Sequence, residues 1–248
     1  MLRIKGPWAV IAGGVLLLLL TLQIPASAVR WFLPAQAGVT GLSGTIWSGR
    51  ALRCWWGPPD KRIVLGSVAW RIEPWRLFWS TPVSFSSEWG AQRLETKFGY
   101  SAGGDLSLAD TSLSFDTQVL SALMPLFIGG RFSGQFSTIE LRGEQLRRAS
   151  GKAILEKAVW TARSGDIPLG TYHLDIDAGR TGGEVLGVVK TLGGALQLAG
   201  NVVLGPASYR INLQATGPVA LDDSFRGAVA MLATPTSAGF DINLQGTY

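Results

Sequence analysis

The residues best suited to acid–base chemistry are His173, Asp175 and Asp177, which alternate along a predicted strand. Alternate side chains of a strand share one face, so an imidazole and two carboxylates would stand side by side. Catalysis also needs a nucleophile or proton-transfer partner in a converging pocket, and no G-x-S-x-G turn occurs in the chain. A polar strand face is typical of a surface that faces water. The sequence therefore predicts no catalytic residues, and we expect that the protein is not an enzyme.

The composition gives little basis for a metal or cofactor site. The chain has one histidine and one cysteine, Cys54, whereas zinc sites are built from several such ligands. The glycines between Gly182 and Gly194 lack the Gly-Lys-Ser/Thr ending of a phosphate-binding loop. We therefore predict no metal, no cofactor and no intramolecular disulfide. Cys54 is interpreted as a small, half-buried hydrophobic residue, with an intermolecular disulfide as the alternative.

The formal net charge of +5 raises the question of nucleic-acid binding. Its basic residues are scattered, and the densest local group is Arg142, Arg147, Arg148 and Lys152. A nucleic-acid footprint needs a clustered basic face, which this short group does not provide. We therefore predict no nucleic-acid partner.

The strongest physical signal lies in the first 30 residues. Arg3 and Lys5 precede an uninterrupted apolar run from Trp8 to Ile24. As a helix, this run would span about 26 Å, the short end of what crosses a membrane. Lys and Arg favour the cytoplasmic side. We therefore predict a cytoplasmic tail at 1–7, a single transmembrane helix at 8–24, and the bulk of the chain outside the cytoplasm.

A cleavable signal peptide is the alternative interpretation of this segment. Ala26-Ser27-Ala28 has the small-x-small pattern of a cleavage site. The apolar run is longer than the usual signal-peptide core, and Trp31 and Phe32 are placed to anchor at a membrane interface. We favour a retained anchor over cleavage after Ala28, and both alternatives export the remainder.

After a linker at 25–40, the sequence predicts a β-rich domain over 41–248. Glycine is abundant, with 32 residues, and only 16% of residues are charged, which favours short strands and tight turns over surface helices. The predicted fold is mainly β, a curved and mostly antiparallel sheet with two short helices near 116–126 and 222–232. Pro168-Leu169-Gly170 is predicted to turn the chain into a strand at 171–178. The recurrence of a short helix followed by a strand suggests two similar halves, about 41–142 and 143–248.

Tryptophan is concentrated in the first part of this domain. Seven of the ten tryptophans fall between Trp47 and Trp89. One interpretation is a large aromatic core on a small sheet, and the other is an exposed aromatic surface for a lipid or protein partner. The sequence leaves both open.

Four segments, in this order, resemble the type II secretion system protein N family: GLSGTIWSGRA at 41–51, WRIEPWRL at 70–77, GDIPLGTY at 165–172 and GGALQLAG at 193–200. The resemblance implies an inner-membrane protein of Gram-negative bacteria with a periplasmic β domain. It also implies a non-enzymatic, accessory role in the machine that exports folded proteins across the outer membrane. The residues of these segments that we expect to determine the shape of the domain are Gly44, Thr45, Trp47, Gly49, Trp70, Pro74, Leu77, Pro168, Gly170 and Gly194.

The resemblance leaves two hypotheses for the partner. In the leading one, sheet edges or the tryptophan-rich region contact other secretion components, since open edges can recruit a partner strand. The rival is a periplasmic lipid-binding or lipid-transfer module, because the chain is also distantly similar to AsmA-like proteins, which are anchored, β-rich and linked to lipid handling. A solvent-open apolar face would favour lipid, whereas a closed side-chain core would favour the scaffold.

Overall fold

In a computed structural model of the protein, the chain after residue 36 folds mainly as one antiparallel sheet. The structure describes residues 6–58, 62–76, 81–100, 103–118, 128–143, 145–162, 165–178, 183–230 and 233–247. Within these residues the strands are β1 (Ala37–Thr40), β2 (Ser43–Gly44), β3 (Ser48–Trp56), β4 (Ile63–Ile72), β5 (Val83–Trp89), β6 (Gln92–Tyr100), β7 (Asp105–Asp116), β8 (Ile128–Arg142), β9 (Gln145–Ala162), β10 (Gly165–Ala178), β11 (Val185–Gly193), β12 (Gln197–Leu204), β13 (Ser208–Thr216), β14 (Thr234–Thr236) and β15 (Gly239–Thr247).

The strands follow one another across the sheet in nearly chain order. Each strand from β3 to β13 pairs with the next, β15 then lies beside β13, and β14 lies beside β15. At the opposite edge β1 flanks β3, and β2 forms a short hairpin with β3. Such a meander arises because an antiparallel neighbour needs only a short connection. The prediction of a mainly β, mostly antiparallel sheet is confirmed.

The two ends of the strands carry different elements. We call the end next to the N-terminal helix the proximal end, and it includes the connections that follow β4, β6, β8, β10 and β12. The opposite, distal end includes the connections that follow β3, β5, β7, β9, β11 and β13.

The N-terminal apolar segment forms helix α1 (Gly6–Leu22), which is followed by a 3₁₀ turn over Ala26–Trp31. In the described part of the chain, no helix combines the length and the apolar character that a membrane crossing requires. The C-terminal end of α1 is tied to the sheet, because the indole of Trp47 donates a hydrogen bond to the carbonyl of Thr21 at 2.8 Å. This bond fixes α1 to the proximal end.

One face of the sheet is apolar and the other is polar, as the two-residue period of a strand dictates. In β6, Leu94 and Phe98 are half-buried, whereas Arg93, Glu95 and Lys97 are exposed. The pairing registers align the apolar positions of neighbouring strands. The apolar face therefore runs continuously across the sheet.

The main buried cluster lies at the distal end, where helix α2 (Asp223–Val229) packs on the apolar face. The centroid of the Phe225 ring lies 5.1 Å from that of Trp160 on β9 and 5.9 Å from that of Phe240 on β15. Trp160 and Phe240 are therefore no more than about 11 Å apart. In a flat sheet, two strands separated by five intervals would lie about 24 Å apart. The sheet must therefore curve around α2 with its apolar face inside.

The second predicted short helix corresponds to α2, which ends at Val229 rather than near residue 232. Asp222 caps its start, since the carboxylate accepts a hydrogen bond from the amide of Phe225 at 3.0 Å. The first predicted helix, near 116–126, falls mostly outside the described residues. At its start, the carboxylate of Asp116 accepts a hydrogen bond from the amide of Gln118 at 2.9 Å.

Two local features differ from the sequence-based expectations. The predicted turn at Pro168-Leu169-Gly170 is wrong, because these residues lie inside β10. Pairing between β9 and β10 begins at Ala162 and Gly165, so the chain reverses before Pro168 and the proline occupies an irregular stretch of the ladder. Part of the segment interpreted as a linker forms the edge strand β1.

The boundary between the two proposed halves falls between β8 and β9, which pair with each other along most of their length. The division into similar halves therefore stays a prediction.

Candidate interaction surfaces

The first resembling segment forms a tight hairpin at the proximal end. The amide of Thr45 donates to the carbonyl of Ser48 at 2.9 Å, and the hydroxyl of Thr45 accepts from the amide of Ser48 at 3.2 Å. Gly44, which precedes this turn, has a φ of 89°. A side chain there would also overlap the carbonyl of Ser48, so both the backbone conformation and the space require glycine.

Two tryptophans attach this hairpin to its surroundings. Trp47 contacts α1 through Thr21, as described above, and the indole of Trp70 on β4 donates to the carbonyl of Ile46 at 2.9 Å. The ring of Trp70 lies over Gly49, where a Cβ atom would overlap it. Gly49 and Trp70 are directly opposite each other in the β3–β4 pairing. The two residues therefore form one packing unit.

The second resembling segment continues from this unit. Pro74 begins a 3₁₀ turn over Pro74–Arg76, and the ends of the connection are closed by a bond from the amide of Glu73 to the carbonyl of Pro82 at 2.8 Å. Leu77, the last predicted residue of the segment, lies outside the described residues. Gly44, Thr45, Trp47, Gly49, Trp70 and Pro74 thus gather at the proximal end.

The remaining predicted residues, Pro168, Gly170 and Gly194, gather on the distal side of the sheet. A Cβ atom added to Gly194 would overlap the Cα of Gly170, so the two backbone segments lie in close contact here. Beside them, the hydroxyl of Tyr172 donates to the carbonyl of Leu196 at 3.0 Å, and burial raises the pKa of Tyr172 to about 12. The structure therefore separates the predicted residues into two clusters instead of one site. Their role in determining shape stays a prediction.

The polar face holds the residues with acid–base potential. His173 and Asp175 lie 3.5 Å apart between Nδ1 and Oδ2. Among the described residues, no group of three His, Cys, Asp or Glu side chains is arranged to hold a metal ion. This pair is the arrangement that a strand period of two produces on one face.

Most charges on the polar face near β5 to β9 are matched by a partner on a neighbouring strand. Lys97 pairs with Asp110 at 2.9 Å, and Arg148 lies 3.8 Å from Glu140. Arg142 binds Asp105 through two hydrogen bonds, and this bonding holds the pKa of the Asp105 carboxyl below its usual value. A face neutralised in this way offers little net attraction to a charged ligand.

The tryptophan-rich region has both a packed part and an exposed part. Trp47 and Trp70 are half-buried and hydrogen-bonded, as a core interpretation expects. Trp75, in the connection after β4, is 66% exposed. The sequence interpretations of an aromatic core and an aromatic surface therefore each describe some of these residues.

An open strand edge is a surface that the sequence did not locate. β14 pairs only with the first three residues of β15, and no described strand pairs with residues 242–247 on the side away from β13. β14 itself carries Pro235, which lacks a backbone donor and protects that short edge. Residues 242–247 contain neither a charge nor a proline. We call these residues the open edge.

The apolar face is the second such surface. Apart from the residues around α2, most of its large side chains in the described chain are half-buried. The accessible surface of the chain is 16174 Å². A compact protein of 26.4 kDa would expose about 10,600 Å². Helix α1, whose side chains are exposed, contributes to this excess, and in the part of the chain that the structure describes α2 is the α-helix that packs on the apolar face.

Comparison with known proteins identifies a family for the chain. A family described as "Type II secretion system (T2SS), protein N" matches residues 35–243, which is most of the chain and includes all four resembling segments. No curated protein and no solved structure matches the chain. The match begins just before β1 and ends within β15, so it covers the whole sheet except the last residues of the open edge. The chain therefore belongs to the type II secretion system protein N family.

Proposed function

We propose that the chain is a non-enzymatic, accessory component of the type II secretion machinery, whose β domain contacts other components in the periplasm. Membership of the protein N family carries this proposal, because it supports a role in type II secretion. The family is that of an accessory component, and this agrees with the residues, which suggest no catalytic centre.

The location in the inner membrane is part of this proposal. It is supported by the apolar, uncharged sequence of residues 8–24, by Arg3 and Lys5 before it, and by the exposure of the α1 side chains from Val10 to Leu17. In this arrangement the N-terminus is cytoplasmic and the sheet is periplasmic. Flotation with inner-membrane vesicles after a high-salt wash tests it, and release of the full chain by the wash would contradict it.

The open edge is the surface that we propose for protein contact. Every second residue of this strand directs its backbone donor and acceptor away from β13, and an added strand would satisfy these groups with the regular ladder geometry. The edge lacks the lysine or proline with which exposed edges are usually protected. A partner that contributes an extended segment would therefore lengthen the sheet beyond β15.

A pull-down from membrane extract with the tagged full chain tests this contact. The variant Asn243→Lys/Gln245→Lys places two charges on the open edge, and we expect it to lose most of the captured secretion components. The matched control, Asn201→Lys/Gln214→Lys, places the same charges on the polar face of the paired strands β12 and β13 and should retain them. Equal capture by both variants would contradict the edge proposal. Absence of every secretion component from the wild-type pull-down would contradict the role itself.

A second candidate function is favoured by the open apolar face. A curved sheet with an apolar inner face and few covering elements could hold the acyl chains of a lipid, as a lipid-binding module of AsmA-like type would. Native mass spectrometry of the detergent-extracted chain tests this function. Co-purified phospholipid that is lost in Val202→Asp, on the apolar face, but kept in Asn201→Asp, on the polar face, would support it. Absence of lipid from the wild-type chain would contradict it.

A further inference from the structure

We propose that the proximal end of the sheet rests on the surface of a phospholipid bilayer through two exposed aromatic side chains, Trp75 and Tyr100. We call these two residues the aromatic rim. The inference rests on the proposed membrane attachment of α1, and it adds a second contact, made by the folded domain itself.

The exposure of these rings is the first observation. Tyr100 is 72% exposed and Trp75 is 66% exposed. They come from two separate parts of the chain, namely the connection after β4 and the end of β6. Rings of this size normally bury most of their surface in a folded protein or at an interface.

The common position of the rim residues is the second observation. β4 and β6 both end at the proximal end, and the amide of Ile72 at the end of β4 donates to the carbonyl of Trp47 at 2.6 Å. Trp47 in turn binds the C-terminal end of α1. A membrane that holds α1 would therefore lie directly next to this end of the sheet.

The residue types fit a lipid surface better than a protein pocket. Trp and Tyr combine an apolar ring with a polar group, and they concentrate at the boundary between headgroups and acyl chains. At the distal end, by contrast, Trp56 and Trp89 are less than half exposed.

A membrane-resting rim would also fix the direction of the sheet. The strands would rise from the lipid surface, and α2 would close the apolar face at the end farther from the membrane. The apolar face would then be uncovered at the end that faces the lipid.

Spin-label accessibility in phospholipid vesicles tests the rim in the full chain. The vesicles contain phosphatidylethanolamine and phosphatidylglycerol, and Cys54→Ser removes the native thiol. Labels on Arg76→Cys and Gly103→Cys, next to the rim residues Trp75 and Tyr100, report on the proximal end. A label on Ala91→Cys, in the exposed turn between β5 and β6, is the matched distal control.

We expect the proximal labels to collide more often with lipid-dissolved oxygen, and several-fold less often with a water-soluble nickel chelate, than the distal label. Trp75→Ser/Tyr100→Ser should abolish this difference without changing the far-ultraviolet circular dichroism spectrum. If the chain floats with the vesicles but all labels collide equally often with the nickel chelate, the rim proposal is wrong and the membrane attachment of α1 is still supported. If the chain does not float, both are overturned. If the proximal labels are accessible to the nickel chelate in vesicles but inaccessible to it in native membranes, the rim contacts a protein and the lipid contact is contradicted.

Discussion

Truncation of Phe225 tests whether α2 and the curved sheet form the core of the domain. Phe225 is buried, its ring contacts those of Trp160 and Phe240, and no other ring joins these two strands in the described chain. Phe→Ala changes in cores cost about 3–5 kcal/mol through lost burial and the cavity left behind. Each aromatic pair adds about 0.5–1.5 kcal/mol. Because strand pairing holds the surrounding backbone apart, we expect Phe225→Ala to cost about 4 kcal/mol of unfolding free energy.

Urea unfolding of the detergent-solubilised full chain, followed by circular dichroism, measures this loss. The matched control is Leu221→Ala, in the adjacent 3₁₀ turn, where the side chain is about half exposed and the loss should be about 1 kcal/mol or less. Phe225→Ala should also shift the emission of Trp160 to longer wavelength. Losses of the same size in both variants would refute the reasoning, because they would mean that α2 does not hold the curved sheet together.

Three further predictions follow from single contacts. Gly194→Ala should lower the free energy of unfolding by about 1–3 kcal/mol or more, because its φ of 136° and the nearby Cα of Gly170 both oppose a side chain. The control Gly193→Ala, which has open space around it, should leave thermal unfolding nearly unchanged. Ultraviolet titration should show one tyrosine, absent in Tyr172→Phe, that ionises near pH 12. Because its folded pKa exceeds the unfolded value of about 10, Tyr172 should support the fold below pH 10 and lose this contribution as pH rises toward 12. Burial raises the pKa of the Cys54 thiol. The thiol should therefore react slowly with iodoacetamide at pH 8 in the folded chain and much faster in urea. Equal rates in the two conditions would contradict the half-buried position of Cys54.

The β character of the chain and its mostly antiparallel pairing could be predicted from local patterns, because alternation and turn residues act over a few neighbours. The strand predicted at 171–178 is the second part of β10 and ends at Ala178 as predicted, with His173 and Asp175 on one face. The helix predicted from about residue 222 begins at Asp223 for the same reason, since the cap formed by Asp222 bonds a residue only three positions away. The turn predicted at Pro168 failed because an irregular ladder can accommodate a proline inside a strand.

Features that depend on distant residues could not be predicted from the sequence. The contact of Phe225 with Trp160 depends on the curvature of six strands, which no short segment specifies. The open edge depends on where β14 stops pairing with β15, and the uncharged sequence of residues 242–247 indicates an edge only once the strand order is known. For the same reason, the two rim residues share one end of the sheet although Trp75 follows β4 and Tyr100 ends β6.

Site-specific photocrosslinking in cells that assemble the secretion machine tests the central claim most directly. A photoreactive residue at Asn243, on the open edge, should form an adduct with another type II secretion component. The same residue at Lys190, exposed on the paired strand β11, should not. Adducts of equal yield at both positions would contradict a specific contact at the open edge, and the absence of any adduct with a secretion component would contradict the proposed role of the β domain.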